Sequence, residues 1–398
     1  MATKQIPYGL TDFERIRTAN YYYVDKTRYI AEVERNASFF FLIRPRRFGK
    51  SLFLNVLRWY YDVNRKDSFE ELFGDLYIGS HPTPEQGQYL VLDFNFAGVN
   101  PDPDELIRSF NDHCAARFRE FAYYYERFFN PGFREKMESL PNADEKLTYT
   151  ISEAKRLNLS IYLFIDEYDN FTNVVLNEQG NEVYQALTHA SGFYRDHFKL
   201  YKGMFDRIFM TGVSPVTLDD LTSGFNIGWN ISTDHRFNKM LGFSEEDVSE
   251  MLLYYKTAGE LPADTDIEAM IEDMKPWYDN YCFAEESFKR DPKMFNCDMV
   301  LYYLRHYINL GGAPKQMIDP NTRTDYNKMK KLIQLDKLDG NRKGVLRKIT
   351  DEGQIVTTLA TTFPASEIAN PEIFPSLLFC IGMLTITGTR GDRLVLGI

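Results

Sequence analysis

Ser38-Phe-Phe-Phe-Leu-Ile-Arg-Pro-Arg-Arg-Phe-Gly-Lys-Ser51 joins an apolar run, a basic turn and the opening of a helix in one short stretch. The run from Ser38 to Ile43 is almost wholly apolar, as a strand buried on both faces of a parallel sheet must be. Arg44-Pro45 ends it, because proline offers no N–H to a ladder. From Lys50 onward, Leu52, Phe53, Val56, Leu57 and Tyr60 recur at helical spacing. Strand, polar loop and helix thus follow in the order that a phosphate-binding unit needs. The loop Arg44 to Ser51 fits GxxxxGK[ST] except that Arg44 occupies the first glycine position. Gly49 lets the backbone approach a phosphate, and Lys50 supplies a point charge for the β- and γ-phosphates. The Ser51 hydroxyl suits Mg²⁺, while the first amides of the helix, through Leu52, face the anion. The expected nucleotide-binding set is therefore Arg44, Pro45, Arg46, Arg47, Phe48, Gly49, Lys50, Ser51 and Leu52. Arg44, Arg46 and Arg47 would add positive potential around this polyphosphate or a neighbouring subunit's nucleotide. A chance GKS tripeptide in a basic turn is the competing reading, and the flanking strand and helix count against it.

Ile161-Tyr-Leu-Phe-Ile-Asp-Glu167 is a second apolar strand, tipped by two adjacent carboxylates in the Walker B arrangement. At the C-terminal edge of a parallel strand both acids can approach the loop. Asp166 would hold Mg²⁺ in partnership with Ser51. Glu167 would orient or deprotonate the attacking water. Asp169 would assist or, the preferred reading, cap the next helix. A third apolar strand, Arg207 to Val213, leads into Ser214-Pro215. Thr211 or Ser214 would sense the γ-phosphate from there, and Ser214 is selected, although an ordinary strand-to-loop transition reads nearly as well. The expected catalytic residues are Lys50, Glu167 and Ser214.

Tyr89 to Phe96 is a further strand candidate, and Asp104 to Tyr125 and Asn181 to Phe198 read as helices between strands. Alternation of this kind predicts an α/β fold with a mainly parallel sheet between helices. The aromatic cluster Phe118 to Phe129 reads as a helix packed on that sheet rather than a base-stacking surface. Beyond the stretch Asn226 to Asp234, Ser244-Glu-Glu-Asp247 resembles a capping box and opens a helical run to about Leu346. A helix near Pro371 to Cys380, then Met383 to Thr387, the turn Gly388 to Gly391 and Arg393 to Leu396, predict a winged-helix-like end with a β-hairpin. The expected units are 1–234, an ATPase domain; 235–340, helical; and 341–398, winged-helix-like. Neither internal repeats nor low-complexity segments interrupt them.

Composition excludes other classes. With 44% hydrophobic and 15% aromatic residues the chain is not disordered, and no apolar run reaches the roughly 20 residues of a membrane-spanning helix. The start MATKQIPYGL is not a secretory signal, so a cytoplasmic location is expected. Cys114, Cys282, Cys297 and Cys380 lack CxxC spacing and read as reduced, mostly buried thiols. A net charge of -11 argues against a surface that is basic all over, leaving only a local basic groove for any DNA.

With these residues assembled, the chain resembles the bacterial predicted AAA-ATPase-like family, whose members commonly carry a PD-(D/E)XK-type nuclease domain after a P-loop ATPase. The matching stretches are Ile6-Pro-Tyr-Gly9, Tyr22-Tyr-Val-Asp-Lys-Thr27, Phe41 to Ser51, Leu92-Asp-Phe94, Leu163-Phe-Ile-Asp-Glu-Tyr-Asp169, Thr211-Gly-Val-Ser214, Leu241-Gly-Phe243 and Trp277-Tyr-Asp-Asn-Tyr281. The resemblance accounts for Arg44, since the family's own loop lacks the first glycine. It implies ATP and Mg²⁺, and the sequence has no NKxD base-recognition motif: Asn238-Lys239 and Asn327-Lys328 are followed by the wrong residues. By position before the loop, Tyr23, Asp25 and Lys26 would border the adenine or ribose. The resemblance would lead the terminal hairpin onward into a nuclease domain, so the chain reads as the ATPase portion of a longer protein. Glu153-Ala-Lys155, an E-x-K triplet, lies in a helical pattern and reads as a solvated helix face.

Three functions are then open. One is ATP hydrolysis, with Arg46, Arg47 and Arg236 as candidate arginine fingers. Another is a nucleotide-gated binding module with little turnover. The last is DNA binding at the C-terminal region through Arg342, Lys343, Arg347, Lys348, Arg390 and Arg393, against which a solvated helix face is the preferred reading.

Overall fold

A computed structural model describes residues 2–36, 38–189, 192–201, 203–222, 228–278, 281–290, 293–322, 341–368 and 370–398. Asn226, positions 279 and 280 of the Trp277 to Tyr281 stretch, Asn327-Lys328 and the part of the helical run between 323 and 340 lie outside the described residues.

The apolar runs form strands that water cannot reach from either face. β1 (Phe39–Ile43) and β3 (Ile161–Asp166) are buried at every position, and β2 (Leu90–Asn95) and β4 (Arg207–Gly212) nearly so. With the two-residue β5 (Trp229–Asn230), which was not anticipated, they build a five-stranded parallel sheet in the order β2-β3-β4-β1-β5. β4 therefore lies between the two strands that were expected to carry the site, paired from Phe39↔Ile208 to Ile43↔Gly212 on one side and from Tyr162↔Arg207 to Ile165↔Met210 on the other.

Helices cover this sheet. Leu106–Tyr124 realises the long helix expected at 104–125; Phe110, Phe118 and Phe121 on it are buried, the Phe118 ring edge-on to Phe94 at 5.6 Å, whereas Tyr123 and Tyr124 are exposed. The span Asn181 to Phe198, expected as one helix, is divided into Asn181–Thr188 and Phe193–Leu200. The break follows from a tight turn at Gly192, whose N–H bonds the His189 carbonyl at 2.7 Å and where an added Cβ would meet the Leu187 carbonyl at 2.3 Å. Glu153 and Lys155 sit on the helix Ala143–Arg156, where Glu153 pairs with Arg156 and Lys155 reaches the Gly203 carbonyl.

Ser244 and Asp247 form the capping box of the helix Glu245–Thr257. With Ile267–Tyr278 and Cys297–Leu310 it encloses a separate apolar cluster of Val248, Met251, Leu252, Ile271 and Leu304, against which Ile6, Tyr8 and Tyr22 of the N-terminal segment pack. The helix Asn341–Glu352, β6 (Gln354–Thr357), the helix Phe374–Cys380 and the hairpin of β7 (Thr385–Arg390) and β8 (Arg393–Gly397) follow, with an antiparallel sheet in the order β6-β8-β7. Apolar residues of this last segment pack with those of the parallel strands. Phe374–Cys380 is buried along its whole length, and Leu377, Phe379 and Ile386 belong to the same core as Phe41 and Ile43. Among the described residues no helix is long and apolar enough to cross a membrane.

The turn after β3 packs directly on the end of β4. A Cβ at Gly212 would lie 2.4 Å from Tyr168 Cε1 and 2.6 Å from Asp169 Oδ1, both buried. Gly212→Ala must displace one of them, at a cost of about 1–3 kcal/mol. The expected result is a lower urea midpoint with an unchanged slope; an unchanged midpoint would contradict this packing.

Candidate nucleotide-binding site

The loop between β1 and the helix Lys50–Tyr61 turns sharply at Arg47 (φ 66°) and Gly49 (φ 87°). Gly49 is the N-cap and has no side chain to offer, so the first amide N–H groups of the helix have no intrahelical partner. Gly49, Lys50, Ser51 and Leu52 line a cavity of about 380 Å³. The loop carbonyls are held from behind. Lys50 Nζ donates to Arg44 O and Pro45 O at 2.9 Å each, Asn296 Nδ2 to Arg46 O at 3.2 Å, Cys297 Sγ to Arg47 O at 3.2 Å, and the Gly242 N–H to Phe48 O at 3.2 Å. With its carbonyls so engaged and its helix-end amides open, the loop presents donors to the cavity, the polarity an anion requires. Burial pushes the Lys50 ammonium below its ordinary pKa, and Asp166 and Glu167 oppose that shift.

Asp166 ends β3 beside this loop, and both of its oxygens are engaged. Ser51 Oγ donates to Oδ2 at 2.5 Å, and Thr211 Oγ1, from β4, donates to Oδ1 at 2.6 Å. A hydroxyl and a carboxylate in contact are hard oxygen donors of the kind Mg²⁺ takes, and that ion ordinarily keeps several waters and substrate phosphate oxygens as its other ligands. The pair therefore fits Mg²⁺ carried by a polyphosphate. Among the described residues no group of three or more His, Cys, Asp or Glu side chains is placed to hold a metal without such help.

Glu167 follows in the left-handed region (φ 51°), which L side chains seldom adopt. It lines the cavity. Burial first, and the neighbouring Asp166 second, raise its carboxyl above the usual pKa, with Arg46 opposing. The strained turn is held by Tyr168, whose N–H bonds Thr211 O and whose hydroxyl bonds Ser214 O at 2.8 Å.

Several expected roles change in this geometry. Asp169 precedes the helix Asn170–Glu178 but gives it no side-chain cap; its carboxylate accepts from the N–H groups of Val213 (3.1 Å) and Ser214 (2.6 Å) and from Asn173 Nδ2 (2.8 Å), tying the turn after β3 to the turn after β4. Ser214 was selected over Thr211, yet its hydroxyl accepts the Val216 N–H at 3.3 Å and Val213 lines the cavity in its place. Thr211 is the residue that reaches the acid-tipped strand. Arg44 is 1% exposed and turned away from the cavity, because its guanidinium lies 3.9 Å over the Phe283 ring and donates to the carbonyls of Ile43, Ser232 and Phe237. Arg47 pairs with Asp298 at 2.5 Å. Arg236 is gripped by Asp234 and donates to Asn36, which precedes β1 at the end of the strand opposite the loop, so it does not reach this cavity. Arg46 does line it.

The cavity extends past the loop between the N-terminal segment and the helical cluster. Tyr22, Tyr23 and Val24 border it, with Leu241, Phe243 and Met251 opposite. Of the residues expected near the base, only Tyr23 lies on it: Asp25 is taken by Thr27 and the Tyr77 N–H, and Lys26 pairs with Asp247 at 2.6 Å. Leu241 and Phe243 stood in a quoted family stretch without a role; nothing in their local pattern distinguishes a cavity wall from core. A second cavity of about 340 Å³, bordered by Trp59, Arg65 and Tyr124, contains none of the loop.

Arg44 is thus a structural arginine, held in the core by ring and carbonyl contacts. Arg44→Ala would leave three buried carbonyls without their donor, costing about 3 kcal/mol or more. Urea denaturation checks this, and weakened ATP binding with undiminished stability would be the contrary result.

A family model described as Predicted AAA-ATPase matches residues 7–222. A protein of Azotobacter chroococcum mcd 1, described as an uncharacterized protein in the vnfD 5′ region, is 27% identical over 294 residues, covering 72% of this chain and 50% of that protein. The chain thus spans half the length of that curated relative. The crystal structure of Cdc6p from Pyrobaculum aerophilum aligns with 100% of this chain and 91% of its own at 13% identity, with a TM-score of 0.33, too low to support any inference. Since the family model spans more than half of its residues, the chain belongs to the predicted AAA-ATPase family.

Proposed function

We propose that this chain binds ATP with Mg²⁺ and hydrolyses it. The observation that carries the reading is the convergence of Ser51 and Asp166, from different strand–loop units, within 2.5 Å at the mouth of the Gly49 to Leu52 turn. In this reading the triphosphate would lie along the helix N-terminus, and Lys50 would supply the positive charge that answers its β- and γ-phosphates. Ser51 and Asp166 would hold Mg²⁺, which would supply positive charge against the phosphate oxygens. Thr211 keeps Asp166 oriented by occupying its other oxygen, and Glu167 accepts a proton from the attacking water. Arg46 and Arg47, which both line the cavity, add positive charge from the same chain, and Arg47 also pairs with Asp298. The apolar end between Tyr23 and Phe243 takes the base.

Catalysis by Lys50 and Glu167 rather than Ser214 is part of this proposal, as is a location in the cytoplasm. Coupling to a nuclease domain or to nucleic acid also belongs to it, and is supported only by the resemblance and by the greater length of the curated relative. DNA binding through the C-terminal region is the weaker reading. The helix that would enter a groove, Phe374–Cys380, is buried, and Arg342 is buried with its guanidinium 5.6 Å over Phe374. Lys343, Arg347, Lys348, Arg390 and Arg393 are exposed. A nucleotide-gated switch uses the same binding residues but requires no base.

Calorimetry and phosphate release separate these. Lys50→Ala is expected to lower ATP affinity at least about tenfold. Glu167→Gln should retain ATP binding while turnover falls about 10²–10⁴-fold; equal, negligible turnover in wild type and variant would establish the switch.

The base works only when ionised, and burial raises its pKa. Activity should therefore be lost, as pH falls, at a value above the ordinary glutamate pKa of about 4.3. A kcat profile flat through and above that range would remove Glu167 from the role.

A further inference from the structure

Glu167 is held at one carboxylate oxygen. Asn170 Nδ2 donates to Oε2 at 2.5 Å, while the Asn170 N–H donates to the Glu167 carbonyl at 3.1 Å. Among the described residues no side chain donates to Oε1. The backbone around this pair is over-determined. Tyr194 donates its hydroxyl to Tyr168 O at 2.6 Å, Tyr168 donates to Ser214 O, and the Asp169 carboxylate receives the Val213 and Ser214 N–H groups. The left-handed conformation at Glu167 is thus imposed by buried contacts on both sides and directs the residue to the cavity wall. What the backbone does not settle is rotation within the glutamate side chain. A general base must keep one oxygen aimed at its proton while the carboxylate stays ionised beside Asp166, and a neutral amide donor serves both needs without adding a charge.

We propose that Asn170 is a positioning residue for Glu167, locking Oε2 so that Oε1 is presented to the water that attacks the terminal phosphate. This assignment rests on the reading of Glu167 as the base. A purely local turn contact would have the same appearance at rest but would leave the chemistry of the base untouched.

Phosphate release and ATP calorimetry on wild type, Asn170→Ala, Asn170→Asp, Glu167→Gln and the Asn170→Ala/Glu167→Gln double variant test it. In Asn170→Ala, ATP affinity should change by less than about twofold while kcat falls roughly tenfold or more. Asn170→Asp, which is nearly isosteric and keeps the test available should the alanine variant not fold, should lose kcat likewise, because an ionised carboxylate has no N–H to donate to Oε2. The alanine substitution should cost nothing more once Glu167 is Gln. A wild-type kcat in Asn170→Ala, or the same fold loss in the Glu167→Gln background, would overturn the role of Asn170 alone. Absence of turnover in the wild type would overturn the base reading, and this assignment with it.

Discussion

Two hydroxyls donate to the two oxygens of one carboxylate at the C-terminal edge of the sheet: Ser51, from the helix after β1, and Thr211, from β4, both meet Asp166 at the tip of β3. That contact is available because β4 is inserted between β1 and β3. The parallel registers of β1 with β4 and β4 with β3 bring the ends of the three strands to one edge. An aspartate with both oxygens occupied is held in one rotamer. The arrangement of the neighbouring turn follows from it, since Glu167 must leave the strand in a strained conformation while Tyr168 and Asp169 anchor its far side to β4.

The loop is coupled just as closely to the helical cluster. Its carbonyls at Arg46, Arg47 and Phe48 receive donors from Asn296, Cys297 and Gly242, and Arg47 pairs with Asp298. The N-terminal segment joins the same cluster through Tyr22 and through the Lys26–Asp247 pair. A largely buried ion pair contributes little net stability on balance but is costly to break on one side only. Such pairs therefore specify one arrangement of loop, N-terminal segment and helices more than they strengthen it. Anything that reshapes the loop must act on all three.

Legibility in the sequence varied with the range of the interaction. The strand–loop–helix unit, the acid-tipped strand and the capping box at Ser244 rest on contacts between residues close in the chain, and periodicity and residue type announce them. Asp169 precedes a helix just as a capping residue does, but the backbone donors it satisfies belong to Val213 and Ser214, far along the chain. Ser214 and Thr211 are both small hydroxyl residues near a strand end, and strand alternation together with register decided that Thr211 faces Asp166. The split of the helix over 181–198 turned on one close backbone approach at Gly192.

Arg44 shows the boundary most plainly. By itself the sequence determined that a buried strand enters a basic, glycine- and lysine-bearing turn and that a carboxylate-tipped strand of the same kind follows, because both signals arise from local chain chemistry. Only the tertiary structure decided which charges face the cavity. Arg44 and Arg46 stand two residues apart in one motif, yet Phe283 and the Ser232 and Phe237 carbonyls draw the first into the core while the second lines the cavity. A buried guanidinium takes its direction from the carbonyls and rings that surround it, and those come from segments the chain brings together only on folding.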